Sequence, residues 1–271
     1  MGACMFSVII PVYNCEKTIK QVLDSVRQQT RFDLVEEIIV LNDGSTDQTD
    51  KVIADYIFSN PAMPILYFRH KNHGVSYTRN RGIRAAKAEW IALLDGDDIW
   101  LEHKLERQEQ ILATHPEICF LGACDPLRIF LKRRHGLCKM TAADICIRSC
   151  TPTPSVVFKK SAGEALGLFD ESRQFDEDIQ FYQRFLLYDS YYILAEKLVQ
   201  ISIQKKYFGE SGLSSNIKRC SEGRDRNIKE LYDMGLISKP FLIVMLLFSQ
   251  IKLCRRWLIW TANRCIARLY S

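Results

Sequence analysis

The stretch Trp90-Ile91-Ala92-Leu93-Leu94-Asp95-Gly96-Asp97-Asp98 decides how this chain reads. Its apolar run is long enough for one buried strand and ends abruptly in three carboxylates around a glycine. Open parallel sheets present their ligand sites at the carboxyl ends of strands. Three acids crowded there repel one another unless a cation lies between them. Hard divalent ions such as Mg²⁺ or Mn²⁺ take oxygen ligands, with one or two carboxylates and the substrate's phosphates completing the shell. A plainer reading of the same residues is an acidic turn leading into a helix, with Asp98 as its N-cap.

The flanking sequence supplies order. Upstream, Phe6-Ser7-Val8-Ile9-Ile10-Pro11-Val12-Tyr13-Asn14 reads as a strand running into a proline-stopped loop. A second strand, Glu37-Ile38-Ile39-Val40-Leu41, ends in Asn42-Asp43-Gly44-Ser45-Thr46-Asp47. Helical patterns follow each strand, over roughly Lys17 to Gln29 and Thr46 to Ser59. A third strand near Ile65 to Phe68 leads to Gly74-Val75-Ser76-Tyr77-Thr78-Arg79-Asn80-Arg81-Gly82 and a helix through Ala88. Strand and helix alternating in this way predict an α/β fold, a doubly wound and mostly parallel sheet with right-handed crossovers. Polar tips at successive strand ends then converge on one crevice, as in nucleotide-binding domains.

In this order the blocks resemble the family 2 glycosyltransferases of the GT-A fold. Those proteins open with a strand and P-x-Y-N, continue with D-G-S-x-D and A/T-R-N-x-G, and carry a D-x-D metal motif. Here the blocks are Pro11 to Asn14, Asp43 to Asp47, Thr78 to Gly82 and Asp95 to Asp98, within a resemblance covering about residues 5 to 215. The resemblance implies that Asp43 accepts from a uracil N–H; the alternative is an Asx-turn residue ahead of Gly44. Pro11, Tyr13 and Asn14 would flank the same base and ribose. Arg79 is an always-charged fork suited to phosphate or ribose, or else a surface arginine. Asp95 would face ribose or metal and Asp97 the metal, a Mn²⁺ or Mg²⁺ ion that offsets charge on the departing diphosphate.

The second half should serve the acceptor. Thr151-Pro152-Thr153-Pro154-Ser155-Val156-Val157-Phe158 reads as a loop entering a strand. After it come Gly167-Leu168-Phe169-Asp170-Glu171 and Phe175-Asp176-Glu177-Asp178-Ile179-Gln180-Phe181. In the resemblance, a G-x-F-D-E segment followed by an E-D pair holds the catalytic base. An inverting transfer needs a carboxylate within hydrogen-bond reach of the acceptor hydroxyl. Asp178 is the first candidate and Glu177 the second; the alternative is acids placed in a helix's first turn by its dipole. Two departures stand out. The loop Lys205 to Ser214, where relatives carry a histidine or basic residue near the diphosphate, has no histidine. The Q-x-x-R-W signature of processive members is also absent, which points to single addition.

His70 and His73 lie near the arginine block, while His103, His115 and His135 are scattered with no metal-binding spacing. The 10 cysteines form no C-x-x-C pair and read as reduced thiols. The basic cluster Arg128, Lys132, Arg133, Arg134 and His135 reads as a solvated face. With 47% hydrophobic residues the chain can bury a substantial core. The expected division is a glycosyltransferase domain over 1–238 (donor half about 5–118, acceptor half about 119–238) and a basic tail over 239–271.

That tail holds six basic residues (Lys239, Lys252, Arg255, Arg256, Arg264, Arg268) and no acid, against a formal net charge of +5 for the whole chain. The basicity therefore belongs to the tail, and nucleic acid is not an expected partner. The run Phe241 to Phe248 is shorter than the ~20 residues needed to span a bilayer. Beyond it, Ile251, Cys254, Leu258, Ala262, Cys265 and Leu269 recur at helical spacing, flanked by Trp257 and Trp260, with Lys252, Arg255, Arg256 and Asn263 on another face. A basic amphipathic helix suits an anionic membrane surface; a helix packed on the domain or a dimer contact is the alternative. The expected protein moves a sugar from a nucleoside diphosphate donor, UDP-linked by preference, to a hydroxyl of a cell-envelope glycan or glycolipid, with a glycan or lipid-linked glycan as the acceptor partner. It would work at the cytoplasmic face of the membrane. The alternatives are transfer to a polyprenyl phosphate and a non-catalytic sugar-nucleotide or glycan-binding relative.

Overall fold

The first four apolar runs form parallel strands because each of the first three is followed by a helix that carries the chain back across one face. The computed structural model describes residues 4–126, 135–148, 151–201 and 216–269, with side chains only to residue 257 in the last segment. Strands β1 (Phe6–Val12), β2 (Val35–Asp43), β3 (Ile65–His70) and β4 (Trp90–Leu93) alternate with α1 (Ile19–Arg27), α2 (Thr49–Ser59) and α3 (Val75–Ala85). Then come β5 (Ile99–Trp100), α4 (Lys104–Thr114), β6 (Phe120–Ala123), β7 (Leu137–Lys139), α5 (Ala142–Ile147), β8 (Val157–Lys159) and α6 (Lys160–Ala165). The chain continues through α7 (Glu177–Gln183), β9 (Tyr192–Leu194), β10 (Val199–Gln200), α8 (Ile217–Asp233) and α9 (Lys239–Leu269).

The main sheet runs β3-β2-β1-β4-β8-β6-β9-β7, and β5 pairs with β10 apart from it. Strands β1 to β4 are mutually parallel, so the order reverses between β1 and β4 and opens a crevice at their carboxyl ends. Alternation along β1 divides the core: Phe6, Val8, Ile10 and Val12 pack on one face, and Ile9 on the other with Ile39, Leu41 and Ile83.

Beyond β4 the sheet is mixed, because β8 lies antiparallel between β4 and β6. This reversal matters for the site. An antiparallel neighbour brings the loop before it, not after it, to the carboxyl end of β4. Leu93 N–H accordingly donates to Val156 O at 3.1 Å, and the same loop carries Thr153, whose Oγ1 donates to Asp178 at 3.3 Å.

Several expected boundaries move. Pro11 lies inside β1 and does not stop it; β4 pairs with β1 only as far as Ile9, so the missing N–H costs no bond on that side. Helix α2 begins at Thr49, not Thr46, because the Asp47 carboxylate accepts from Thr49 N–H at 3.0 Å and from Glu16 N–H at 3.2 Å, holding the preceding residues in a loop. Helix α3 ends at Ala85, since Ala86 is extended. Asp98 caps no helix: its N–H closes a turn on Asp95 O at 3.2 Å and β5 follows.

The tail is one helix, and its first half is not free. Phe241, Leu242, Met245 and Phe248 of α9 pack with Ile228 and Leu231 of α8 and with Ala142 and Cys146 of α5. Ile243, Val244, Leu247 and Ile251 point away from the domain, each more than half exposed at 52%, 55%, 61% and 65%. Trp257 is also exposed, while the side chains of Leu258, Trp260 and the residues beyond lie outside the described set, as do Arg128 to Arg134. Among the described residues no helix is long and apolar enough to cross a membrane.

Candidate functional site

The acidic turn is shaped by its glycine. A Cβ on Gly96 would sit 2.8 Å from Cys15 Sγ and 3.0 Å from Val12 Cγ1, and Gly96 O accepts from Thr18 Oγ1 at 2.6 Å. Pressed under the loop after β1, the turn leaves Asp95 and Asp97 partly exposed on either side of it. Both line a cavity of about 350 Å³ with Pro11, Tyr13, Asn14, Arg79 and Glu177.

Arg79 is neither on the surface nor aimed at solvent. It is buried on α3, where its Nη2 donates to Asp95 at 2.8 Å and its Nη1 to Glu177 at 3.2 Å, and its guanidinium lies 5.2 Å from the Phe169 ring centroid. Burial works against its charge, and the carboxylates, Asp95 foremost, more than reverse that, so its pKa is raised. Part of the cation that the acidic turn demands is therefore supplied by the protein. The same guanidinium ties α3 to the first turn of α7.

Asn80 makes the second tie. Its amide donates to Phe169 O and Glu171 Oε1, both at 2.8 Å, and accepts from Phe169 N–H at 2.9 Å. Gly82 lets α3 sit this close to the sheet, since a Cβ there would lie 2.7 Å from Ile9 Cγ2 and 2.8 Å from Leu41 Cδ1.

At the start of α7, Glu177 is buried against Arg79, and Asp178 Oδ2 accepts from Thr153 Oγ1 at 3.3 Å. Tyr182 donates to the same Thr153 oxygen at 3.2 Å. Burial raises the pKa of both carboxyls; Asp178 pushes Glu177 further up, and Arg79 pulls each back in part. Asp176, in the left-handed region with φ 52°, is pushed up to about 6 by burial and by Asp178. Thr153 and Tyr182 escaped the sequence reading. The T-P-T-P stretch marked a loop but gave no sign that an antiparallel strand would carry it to Asp178.

The D-G-S-x-D block mostly organises loops. Both Asp43 oxygens are occupied, but not by the local Asx turn ahead of Gly44: Oδ1 accepts from His73 N–H at 2.7 Å and Oδ2 from Gly74 N–H at 3.0 Å, while the local bond is made by Asn42 Oδ1, which accepts from Ser45 N–H at 2.8 Å. A carboxylate has about four lone-pair sites, so a base N–H can still be accepted. Gly44 has φ +76° and stands where a Cβ would be 2.8 Å from Asn72 N, which only glycine tolerates. Asn14 stitches the same loops through Thr46 N–H at 2.8 Å, whereas Tyr13 is 49% exposed and free to act as a ring platform.

His70 is the other group the sequence did not single out. Arg81 can only donate, so the 2.9 Å contact makes His70 Nδ1 an acceptor and places its proton on Nε2, facing Asp43 at 3.3 Å and Thr78 Oγ1 at 3.1 Å. Burial lowers its pKa, in keeping with a neutral ring.

For a metal, the residues fit a site shared with substrate. Among the described residues no group of three or more His, Cys, Asp or Glu could hold an ion by itself. Two partly exposed carboxylates beside an open cavity are the donor set that Mg²⁺ or Mn²⁺ uses when phosphates complete the shell. The loop Lys205 to Ser214 lies outside the described residues.

Residues 7–135 match the family model described as Glycosyl transferase family 2. Over these residues the chain carries a family 2 glycosyltransferase domain. A protein of Rickettsia typhi described as an uncharacterized glycosyltransferase is 30% identical over 212 residues, covering 72% of this chain and 63% of its own length. This chain thus spans just under two thirds of that relative. Staphylococcus aureus TarS 1-349 in complex with UDP-GlcNAc superposes with TM-score 0.69 at 20% identity, over 89% of this chain and 70% of its own. The mannosyltransferase PcManGT from Pyrobaculum calidifontis, in complex with GDP-Man and Mn²⁺, reaches TM-score 0.72 at 18% identity, over 99% and 75%. At these identities the likeness is one of fold, and the fold is GT-A-like.

Proposed function

We propose that this glycosyltransferase is inverting and metal-dependent, moving one sugar from a nucleoside diphosphate donor, UDP-linked by preference, to a hydroxyl of a glycan or lipid-linked glycan. The observation that carries the proposal is the meeting of Asp95, Asp97, Arg79 and Glu177 on one cavity. Arg79 pairs there with one carboxylate of each candidate pair, Asp95 of the metal pair and Glu177 of the base pair. The donor complexes of TarS and PcManGT support a nucleotide-sugar ligand for this cleft.

In this reading the base ring lies against Tyr13 and meets Asp43, whose carboxylate is oriented by the His73 and Gly74 amides. Mg²⁺ or Mn²⁺ bound at Asp95 and Asp97 would stabilise negative charge on the diphosphate. Arg79 holds Asp95 and Glu177 in place and opposes in part the burial that raises Glu177's pKa to about 7. Asp178 has no arginine hydrogen-bonded to it and takes the acceptor proton, with Thr153 steadying its Oδ2. Glu177 is the second candidate for that task, because it lines the cavity directly. The exposed apolar side of α9 would rest on the cytoplasmic leaflet and keep the cleft near lipid-linked acceptors, with residues 1–238 as the catalytic unit.

The test is donor hydrolysis. Purified protein is incubated with UDP-, GDP- and dTDP-sugars in Mn²⁺, Mg²⁺ or EDTA while free nucleoside diphosphate is followed. Metal-dependent release from one donor, reduced at least ~100-fold in Asp97→Ala, is expected. Absence of donor binding by calorimetry under the same conditions would sink the proposal.

A further inference from the structure

Tyr182 is fully buried and packs against Phe120 and Phe169, whose ring centroids lie 5.1 and 6.3 Å from its own. Among the described residues its hydroxyl has one hydrogen-bond partner, Thr153 Oγ1 at 3.2 Å. Thr153 is buried too, and Asp178 Oδ2 lies 3.3 Å from the same oxygen. A phenol shut away from water either gives its proton to Thr153 or leaves it unpaired at a cost.

A hydroxyl has one proton to give, and an ionised carboxylate can only accept. With Asp178 ionised, Tyr182 donates to Thr153 and Thr153 donates to Asp178, so both contacts are filled. With Asp178 protonated on Oδ2 and donating, three protons face two contacts, and one buried O–H is left without an acceptor. The chain therefore runs one way and favours the charged carboxylate.

Other contacts fix both ends of it. The loop that bears Thr153 is held by Trp100 Nε1, which donates to Pro154 O at 2.7 Å, and by Gln108 Nε2, which donates to Ser155 O at 2.8 Å. Asp178 Oδ1 accepts from Ile179 N–H at 2.7 Å, so its second oxygen is engaged within α7 itself. Removing one hydroxyl thus leaves the loop and the helix where they are.

We infer that Tyr182 and Thr153 are positioning residues, a one-way hydrogen-bond chain that orients the Asp178 carboxylate and holds it in the charged form that a proton acceptor needs. The inference rests on the reading of Asp178 as the base and adds a second support beside Arg79. The charged groups around Asp178 divide: Arg79 of α3 favours its charge, whereas Asp95 of the acidic turn and its chain neighbours Asp176 and Glu177 oppose it.

The experiment is a carbon-13 NMR titration of the aspartate-labelled full chain, in which the Asp178 carboxyl resonance is the one absent from Asp178→Asn. Thr153→Val removes the donor and keeps the shape, so the Asp178 midpoint should rise by ~0.5–1 pH unit. Thr153→Ser restores the hydroxyl and should titrate as wild type does. Tyr182→Phe leaves Thr153 without its own donor and should move the midpoint the same way by less. A midpoint unmoved in Thr153→Val or in Tyr182→Phe, or raised equally in Thr153→Ser and Thr153→Val, would overturn the chain. In metal-dependent donor hydrolysis the acid limb of turnover should follow the same midpoints. A limb that stays fixed while the midpoint moves removes the base reading and leaves the chain standing.

Discussion

Two acidic clusters meet at Arg79, and they reach it by opposite routes. Asp95 and Asp97 follow a parallel strand, on a turn pinned by Gly96, and remain partly open to solvent. Glu177 and Asp178 open a short helix in the mixed half of the fold, where burial raises their pKa values. Exposed carboxylates suit a hard cation and phosphate, and a shielded carboxyl with a raised pKa suits proton transfer. The difference in environment, rather than in residue type, divides the work.

The sharpest way to break this division is Asp178→Asn. Turnover with acceptor should fall by ~10²–10⁴ while donor affinity stays near wild type. If donor affinity collapses with turnover, the helix cluster belongs to the donor site and the two clusters are one. Glu177→Gln comes next. It removes one charge-assisted hydrogen bond from Arg79, which keeps Asp95, and should destabilise the fold by no more than about 1.5–3 kcal/mol, read by urea denaturation. A loss of turnover as large as in Asp178→Asn, in protein that remains folded, would instead make Glu177 the base.

Asn80→Ala tests the tie between the halves. Leaving the Phe169 backbone groups unpaired should cost about 1–3 kcal/mol and lower the melting temperature by several degrees. An unchanged melting temperature would mean the halves do not depend on that tie.

The smallest effect is in pH. A carboxyl whose pKa is raised on folding binds its proton more tightly in the folded state, so its contribution to stability is full at low pH and is lost as pH rises through the folded value. For Asp176 that window runs from 3.8 to about 6. Melting temperature should drift down across it, and Asp176→Asn should reduce that drift. An unchanged drift in Asp176→Asn would show that the helix cluster is not shielded.

The parallel half was legible because its evidence is local: apolar runs, glycine turns and acids at strand ends sit together along the chain. Asp95, Asp97, Tyr13 and Glu177 do line one cavity, as the order of the blocks suggested. Asp43 and Asn14 were legible as positions but not as contacts, since their atoms are engaged by loops more than 25 residues away, Asn14 with Thr46 and Asp43 with His73. Thr153, Tyr182 and His70 were not legible at all, because their partners depend on strand direction and on a ring tautomer that no spacing encodes.

By itself the sequence determined the alternation of strand and helix in the first half, the resemblance to the family, and the residue types offered to a donor. Periodicity and turn chemistry act over a few residues and so can be read there. Only the tertiary structure decided that β8 runs antiparallel, that Arg79 is shared between two carboxylates, and that Lys252 of α9 turns to α5 while Arg255 stays exposed. Each depends on which faces can be buried together, and a helix wheel shows two faces without saying which one the domain will claim.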